Sequence, residues 1–188
     1  MKKYLIIAAI LLMELSLFAQ VKIEETQNDL SQAEDGYIRT FKIFPTSNMW
    51  YFIKMNTRTG QMWQIEFDQN ESNQLQTPLN SLSLVENQEE VDNRFTLYPT
   101  QNTWTFLLLD QINGKIWQMN WDQKPEKTYV KPLDNPHISK KQEAIDYRFA
   151  LHPTSNDWSF LLLDKINGNF WQINLSKKIE KSEIIPIK

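Results

Sequence analysis

The chain has 188 residues, 41% of them hydrophobic and 23% charged, with a formal net charge of −3 and no cysteine. That length is enough for one domain with a real core, and the missing cysteine excludes disulfides, thiolate metal sites and a lipid-modified N-terminal Cys. No basic cluster stands out, which argues against nucleic acid or an anionic membrane as the main partner.

Met1–Ala19 reads as a secretory signal peptide. Lys2 and Lys3 form the charged start, Leu5 to Met13 the apolar stretch, and Leu17-Phe18-Ala19 a cleavage site before Gln20. Nine apolar residues are too few to span a bilayer, so no integral membrane segment is expected after cleavage. Removing Met1–Ala19 takes away two lysines and one glutamate, moving the formal charge from −3 to −4. The expected location is the periplasm or the outside of the cell. Residues 20–39 are mostly polar and read as an exposed leader.

From residue 40 to 188 the chain is one repeat domain. The first unit is Thr40–Leu79, the second Arg94–Leu133 and the third Arg148–Ile187, each 40 residues, with 14-residue polar connectors at 80–93 and 134–147. The period of 54 residues holds for Pro45, Pro99 and Pro153, for Gly60, Gly114 and Gly168, and for Trp63, Trp117 and Trp171. Each unit opens on a strand: Phe41–Phe44, Phe95–Tyr98, Phe149–His152. A Pro-Thr-x-Asn loop follows, at Pro45–Asn48, Pro99–Asn102 and Pro153–Asn156, where proline stops the ladder and Asn stabilises a turn.

The second and third strands form a hairpin, most clearly in Trp104–Trp121. Its first arm is apolar on both faces and its second alternates, with Gln118 and Asn120 on a wetter face. Three of the four glycines occupy the turn, where a type I turn with a G1 bulge needs positive φ. Asp110 and Asp164, with Asn56 in the first unit, open that turn as acceptors. Pairing Asp110 with Lys115 places Leu108 opposite Trp117 and Phe106 opposite Met119. The fourth strand is short and carries a proline, Pro132 or Pro186, as an edge strand tolerates.

The expected fold is therefore all-β: three tandem four-stranded antiparallel units, blade-like and stacked face to face. Closed propellers generally have four blades or more. Three units then close as a pseudo-threefold trefoil or prism, stay an open stack, or pair with a second chain to make six.

Two resemblances attach to these residues. Met55–Trp63 resembles the turn-plus-tryptophan repeat of quinoprotein-type propellers, with Asn56 for Asp and one residue fewer between Gly60 and Trp63; it implies a blade-like hairpin and no quinone site. The fuller string is Arg-Phe-x-Leu-Tyr-Pro-Thr-x-Asn-x-Trp-x-Phe-Leu-Leu-Leu-Asp followed by Gly-x-x-Trp-Gln. It resembles a group of small exported repeat proteins of Gram-negative bacteria, and covers Thr40 to Lys188. That resemblance implies the fold and export, and no activity.

Catalytic motifs are absent: no His-x-x-x-His, no nucleophile elbow, no Gly-rich phosphate loop and no calcium loop. Of the two histidines, His137 falls in a connector, and His152 takes the place of Phe44 and Tyr98. No enzyme, metal or cofactor is expected. The candidate ligand residues are Asn48, Trp50, Asn102, Trp104, Asn156 and Trp158, an aromatic face beside an amide in each unit. They suit a protein or glycan partner, against the bland account in which Asn caps a turn and Trp packs inward. Trp121, without a repeated counterpart, is either an exposed contact or a larger plug. A structural subunit acting by self-association, including a homodimer, and an inhibitor or hydrolase are the other classes carried forward.

Overall fold

A computed structural model describes residues 40–67, 74–86, 88–136, 138, 145 and 147–188. The signal peptide, the leader and His137 lie outside the described residues. Among the described residues twelve strands form three separate four-stranded antiparallel sheets, each a meander in chain order. The first sheet holds β1 (Phe41–Pro45), β2 (Tyr51–Asn56), β3 (Met62–Glu66) and β4 (Leu75–Asn80). The second holds β5 (Phe95–Pro99), β6 (Thr105–Asp110), β7 (Ile116–Asn120) and β8 (Tyr129–Leu133). The third holds β9 (Phe149–Pro153), β10 (Ser159–Asp164), β11 (Phe170–Asn174) and β12 (Glu183–Pro186). Short 3-10 turns, Pro125–Lys127 and Ile179–Lys181, precede β8 and β12.

Local chemistry sets the hairpins. The Asp110 N–H donates to Lys115 O at 2.9 Å, and Leu108 pairs with Trp117 and Phe106 with Met119, the register the turn predicts. Gly60, Gly114 and Gly168 have φ of 74°, 70° and 75°, and Gly114 N–H donates back to Asp110 O at 2.9 Å. Proline sits in an edge strand each time: Pro78 in β4, Pro132 in β8 and Pro186 in β12. β4 runs to Asn80, one residue into the expected connector.

The sheets stack face to face with the second in the middle. Because successive strand residues point to opposite faces, each sheet has two different sides. Ile53, Met55 and Met62 of the first sheet pack on Phe95, Phe106, Leu108 and Trp117 of the second. On the other side, Leu107, Leu109 and Ile116 of the second pack on Phe149, Phe160, Leu162 and Trp171 of the third. All six residues of β6 are buried, whereas β2 and β10 are buried at alternate positions only. The outer faces of the first and third sheets are open, so the chain is an open stack and the pseudo-threefold trefoil or prism closure does not form. Phe41 and Ile43 on one outer face and Ile185 on the other are exposed.

Three devices join neighbouring sheets. The Phe95 N–H donates to Thr57 O, and the Phe149 N–H to Gln111 O, both at 2.8 Å, so the second and third sheets each start on the preceding Gly turn. Connector residues Leu84 and Ile138 lie over Gly60 and Gly114, 2.8 Å from where a Cβ would stand. A Cβ there would thus have to displace a side-chain tip, in addition to the strain of positive φ. Lastly, Gln118 is fully buried, which corrects the expectation of a wetter face on β7. Its Nε2 donates to Ser176 O at 3.2 Å, and its Oε1 accepts from Ser182 Oγ at 3.1 Å. Gln64 bridges the first and second sheets in the same manner, accepting from Trp121 Nε1 at 2.9 Å and donating to Gln123 O at 3.0 Å.

Candidate functional site

The Pro-Thr-x-Asn-x-Trp loops join the first two strands of each sheet. Their polar residues are first of all turn builders. Asn48, Asn102 and Asn156 each accept, through Oδ1, the N–H of the tryptophan two residues on, at 3.0 Å in all three. Thr46, Thr100 and Thr154 donate to the residue opening the next strand, Tyr51 O at 2.9 Å, Thr105 O at 2.8 Å and Ser159 O at 2.9 Å. These bonds fix where the tryptophan leaves the backbone. The Asn account of a capped turn therefore holds, and the carboxamide Nδ2 groups of Asn48 and Asn102 find no acceptor among the described residues.

The inward-packing half of that account fails at two of three positions. Trp50 is 36% exposed and Trp104 46% exposed, while Trp158 is half-buried against the core between the second and third sheets. Trp104 lies stacked on Trp121, centroids 5.3 Å apart and planes 16° apart. Trp121 is itself buried, held by its bond to Gln64 and by Tyr51 at 5.9 Å. It is the larger plug, and it supports one face of Trp104 so that the other stays outward. Trp50 rests against Phe67, 5.5 Å away and tilted by 55°, but Phe67 is itself exposed.

Between the first two loops lies a shallow open depression of about 560 Å³. Asn48, Met49 and Trp50 line one side, and Thr103, Trp104 and Gln123 the other. The structure thus brings together Asn48, Trp50 and Trp104. Asn102 stands outside the lining, and Asn156 and Trp158 belong to the third loop, which does not contribute to it. Sequence reasoning missed Met49, Thr103 and Gln123. Nothing repeated marks them, since the third loop carries Asp157 where the first two carry Met49 and Thr103.

A second depression, about 370 Å³, opens between β4 and the Pro125 turn and holds Glu66 and Glu126 from different units. Glu66 is engaged: Tyr51 Oη donates to its Oε1 at 3.0 Å. Burial, then the hydrogen bond and charge of Glu66, raise the Tyr51 phenol above its ordinary pKa and keep it a donor. Among the described residues no group of three or more His, Asp or Glu is placed to hold a metal.

The charged residues that are buried serve the frame. Arg94 pairs with Asp110 at 2.8 Å and Arg148 with Asp164 at 2.7 Å, all four side chains at most 9% exposed. Each carboxylate also accepts turn N–H groups, Ile112 and Ile166 at 3.0 Å. Burial opposes ionisation of Asp164, but the Arg148 hydrogen bonds, the turn amides and the guanidinium charge outweigh it and hold its pKa below the ordinary value. The aspartates thus open the turns as expected, and also anchor an arginine that turn chemistry alone does not connect to them. His152 is exposed on β9 at the outer face of the third sheet, a replaced aromatic outside any site.

No protein-family model, no curated protein and no solved structure matches the chain.

Proposed function

We propose that the chain is an exported, non-catalytic binding module whose contact surface is the depression between the first two Pro-Thr-x-Asn-x-Trp loops. The observation that carries this reading is the pair of outward tryptophans, Trp50 and Trp104, each backed by a second ring and standing on opposite sides of one depression. An aromatic ring held by a second ring is a flat, apolar platform that loses little entropy on contact, most firmly at Trp104, whose partner Trp121 is buried, while Phe67 behind Trp50 is itself exposed. Amide groups of Asn48 and Gln123 beside it supply hydrogen bonds. A sugar ring, with one apolar C–H face and a rim of hydroxyls, is the ligand that uses both. A loop rim offers no open strand edge for a peptide backbone to extend, so a glycan is favoured over a peptide.

Retention of the purified chain on insoluble polysaccharides and on a glycan array tests this. The wild type should be retained by at least one glycan, and Trp50→Ala with Trp104→Ala should lose most of that retention while staying folded. Equal retention by the double variant, or none by the wild type, would remove the proposal.

A further inference from the structure

We propose that two copies of this chain associate head to tail, the outer face of the third sheet of one on the outer face of the first sheet of the other, closing a ring of six sheets. The two joints already inside the chain show what each open face accepts. In both, a face rich in aromatics from the later sheet covers an aliphatic face of the earlier one. Moving 54 residues back from Phe95, Leu97, Phe106, Trp117 and Met119 gives Phe41, Ile43, Phe52, Trp63 and Ile65. These lie together on the outer side of the first sheet, with Phe41 and Ile43 exposed where their counterparts are buried. Moving 54 residues forward from Leu107, Leu109, Ile116 and Gln118 gives Leu161, Leu163, Phe170 and Gln172 on the outer side of the third sheet. Phe170 is exposed there, as is Ile185 opposite Gln172.

The polar groups of the joint are left over at the same two ends. Gln64 and Gln118 each bond the next sheet, whereas Gln172 keeps, among the described residues, only the in-sheet bond to Asn174 Oδ1 at 2.7 Å that Gln118 also makes to Asn120 Oδ1 at 3.1 Å. The main-chain links between sheets run from the Phe95 N–H to Thr57 O and from the Phe149 N–H to Gln111 O. By the same spacing the next link joins Lys165 O of one copy to the Phe41 N–H of another.

The number of copies follows from closure. A head-to-tail contact is heterologous and ends only when the rotation closes. Closed rings of such sheets have about four to eight members. The described residues of one chain form three sheets, fewer than that range, and three chains have too many. Two chains fall inside it.

One residue departs from the pattern. Lys54 stands where the inner copies have Leu108 and Leu162. Its ammonium lies 4.9 Å from the Trp63 ring centroid and 5.4 Å from that of Phe41, and donates to Gln76 Oε1 at 2.8 Å. The charge thus lies on the joint face against two of its rings, held toward the edge strand β4 by Gln76, while the stem covers the sheet beneath it. A lysine on an open sheet face also restrains indiscriminate pairing.

Sedimentation of the full chain over a concentration series up to millimolar tests the proposal, with Ile43→Glu and Ile185→Glu as the probes. Both side chains are exposed, so the substitutions leave the sheets intact, which near-ultraviolet circular dichroism checks. The wild type should reach the mass of two chains and stop there. Each variant alone should associate about tenfold or more weakly, an unpaired charge being forced into an apolar joint. An equimolar mixture of the two should recover a two-chain species, because one partner keeps a native first-sheet face and the other a native third-sheet face. Lys54→Leu should tighten association without passing two chains. A one-chain mass at every concentration, a dimer insensitive to one of the two variants, or a mass that grows without limit would overturn the proposal.

Discussion

Gly114 and Gly168 share a backbone angle but not a neighbourhood. A Cβ at Gly114 would stand 2.8 Å from Ile138 Cδ1 and 3.0 Å from Phe149 Cε1, while one at Gly168 would meet nothing within 4 Å. Gly168→Ala should therefore cost only the strain of positive φ, about 1–2 kcal/mol, and Gly114→Ala clearly more, read as the difference in unfolding free energy. The Arg148–Asp164 pair allows a sharper test. Asp164→Asn alone leaves a buried guanidinium without its anion and should cost about 3–5 kcal/mol. The first unit carries Thr40 and Asn56 at these positions, so Arg148→Thr with Asp164→Asn should cost much less than the two single changes added together. Because the folded pKa of Asp164 lies below its ordinary value of 3.8, the stability it contributes is present above pH 3.8 and is lost as pH falls through the lower folded value. The double variant should lack that component of the acid transition. The pairing was legible in principle: arginine and aspartate occur together in the second and third units and are both absent from the first. It is visible only when the repeats are read against one another as pairs, since sixteen residues separate the partners.

At the scale of the strand, the 54-residue spacing made the hairpin, its register and its edge prolines readable, because turn chemistry and period-two alternation are local. What alternation could not convey is what lies across from a polar residue. Gln118 looks solvated by pattern, yet it is buried and bonded to the third sheet, as a side chain with two donors and two acceptors can be. Gln118→Leu should leave the Ser182 hydroxyl and the Ser176 carbonyl without their partner and cost about 1–3 kcal/mol. Tryptophans divide for the same reason: sequence shows the ring, not its cover. Trp117→Ala, inside a joint, should cost about 3–5 kcal/mol, whereas Trp104→Ala, half of whose ring already meets water, should shift the melting temperature far less. Comparable shifts would mean that the loop tryptophans belong to the core and not to a binding platform. The depression itself was only partly legible, because Met49, Thr103 and Gln123 come together through the stacking of two sheets and share no motif.

At the scale of the molecule, three sheets of one pattern make two complete joints and leave two half-joints, one at each end of the stack. Threefold closure, compatible with the count of units alone, is ruled out by open faces on the first and third sheets. The same open faces motivate self-association, and the loops that carry the outward tryptophans lie at the sheet ends, where Phe67 behind Trp50 also packs on Phe52 of the first sheet's outer face, 5.7 Å away. The most direct test of the layered arrangement uses the absence of cysteine, which makes single-cysteine labelling unambiguous. In dilute solution, where single chains predominate, a maleimide should find neither Leu107→Cys nor Leu108→Cys, since successive residues of β6 are both covered. In the first sheet it should find Lys54→Cys but not Ile53→Cys, and in the third Leu161→Cys but not Leu162→Cys. Ready labelling of Leu107→Cys in the folded chain, or protection of both Lys54→Cys and Leu161→Cys in the single chain, would contradict the open three-sheet stack.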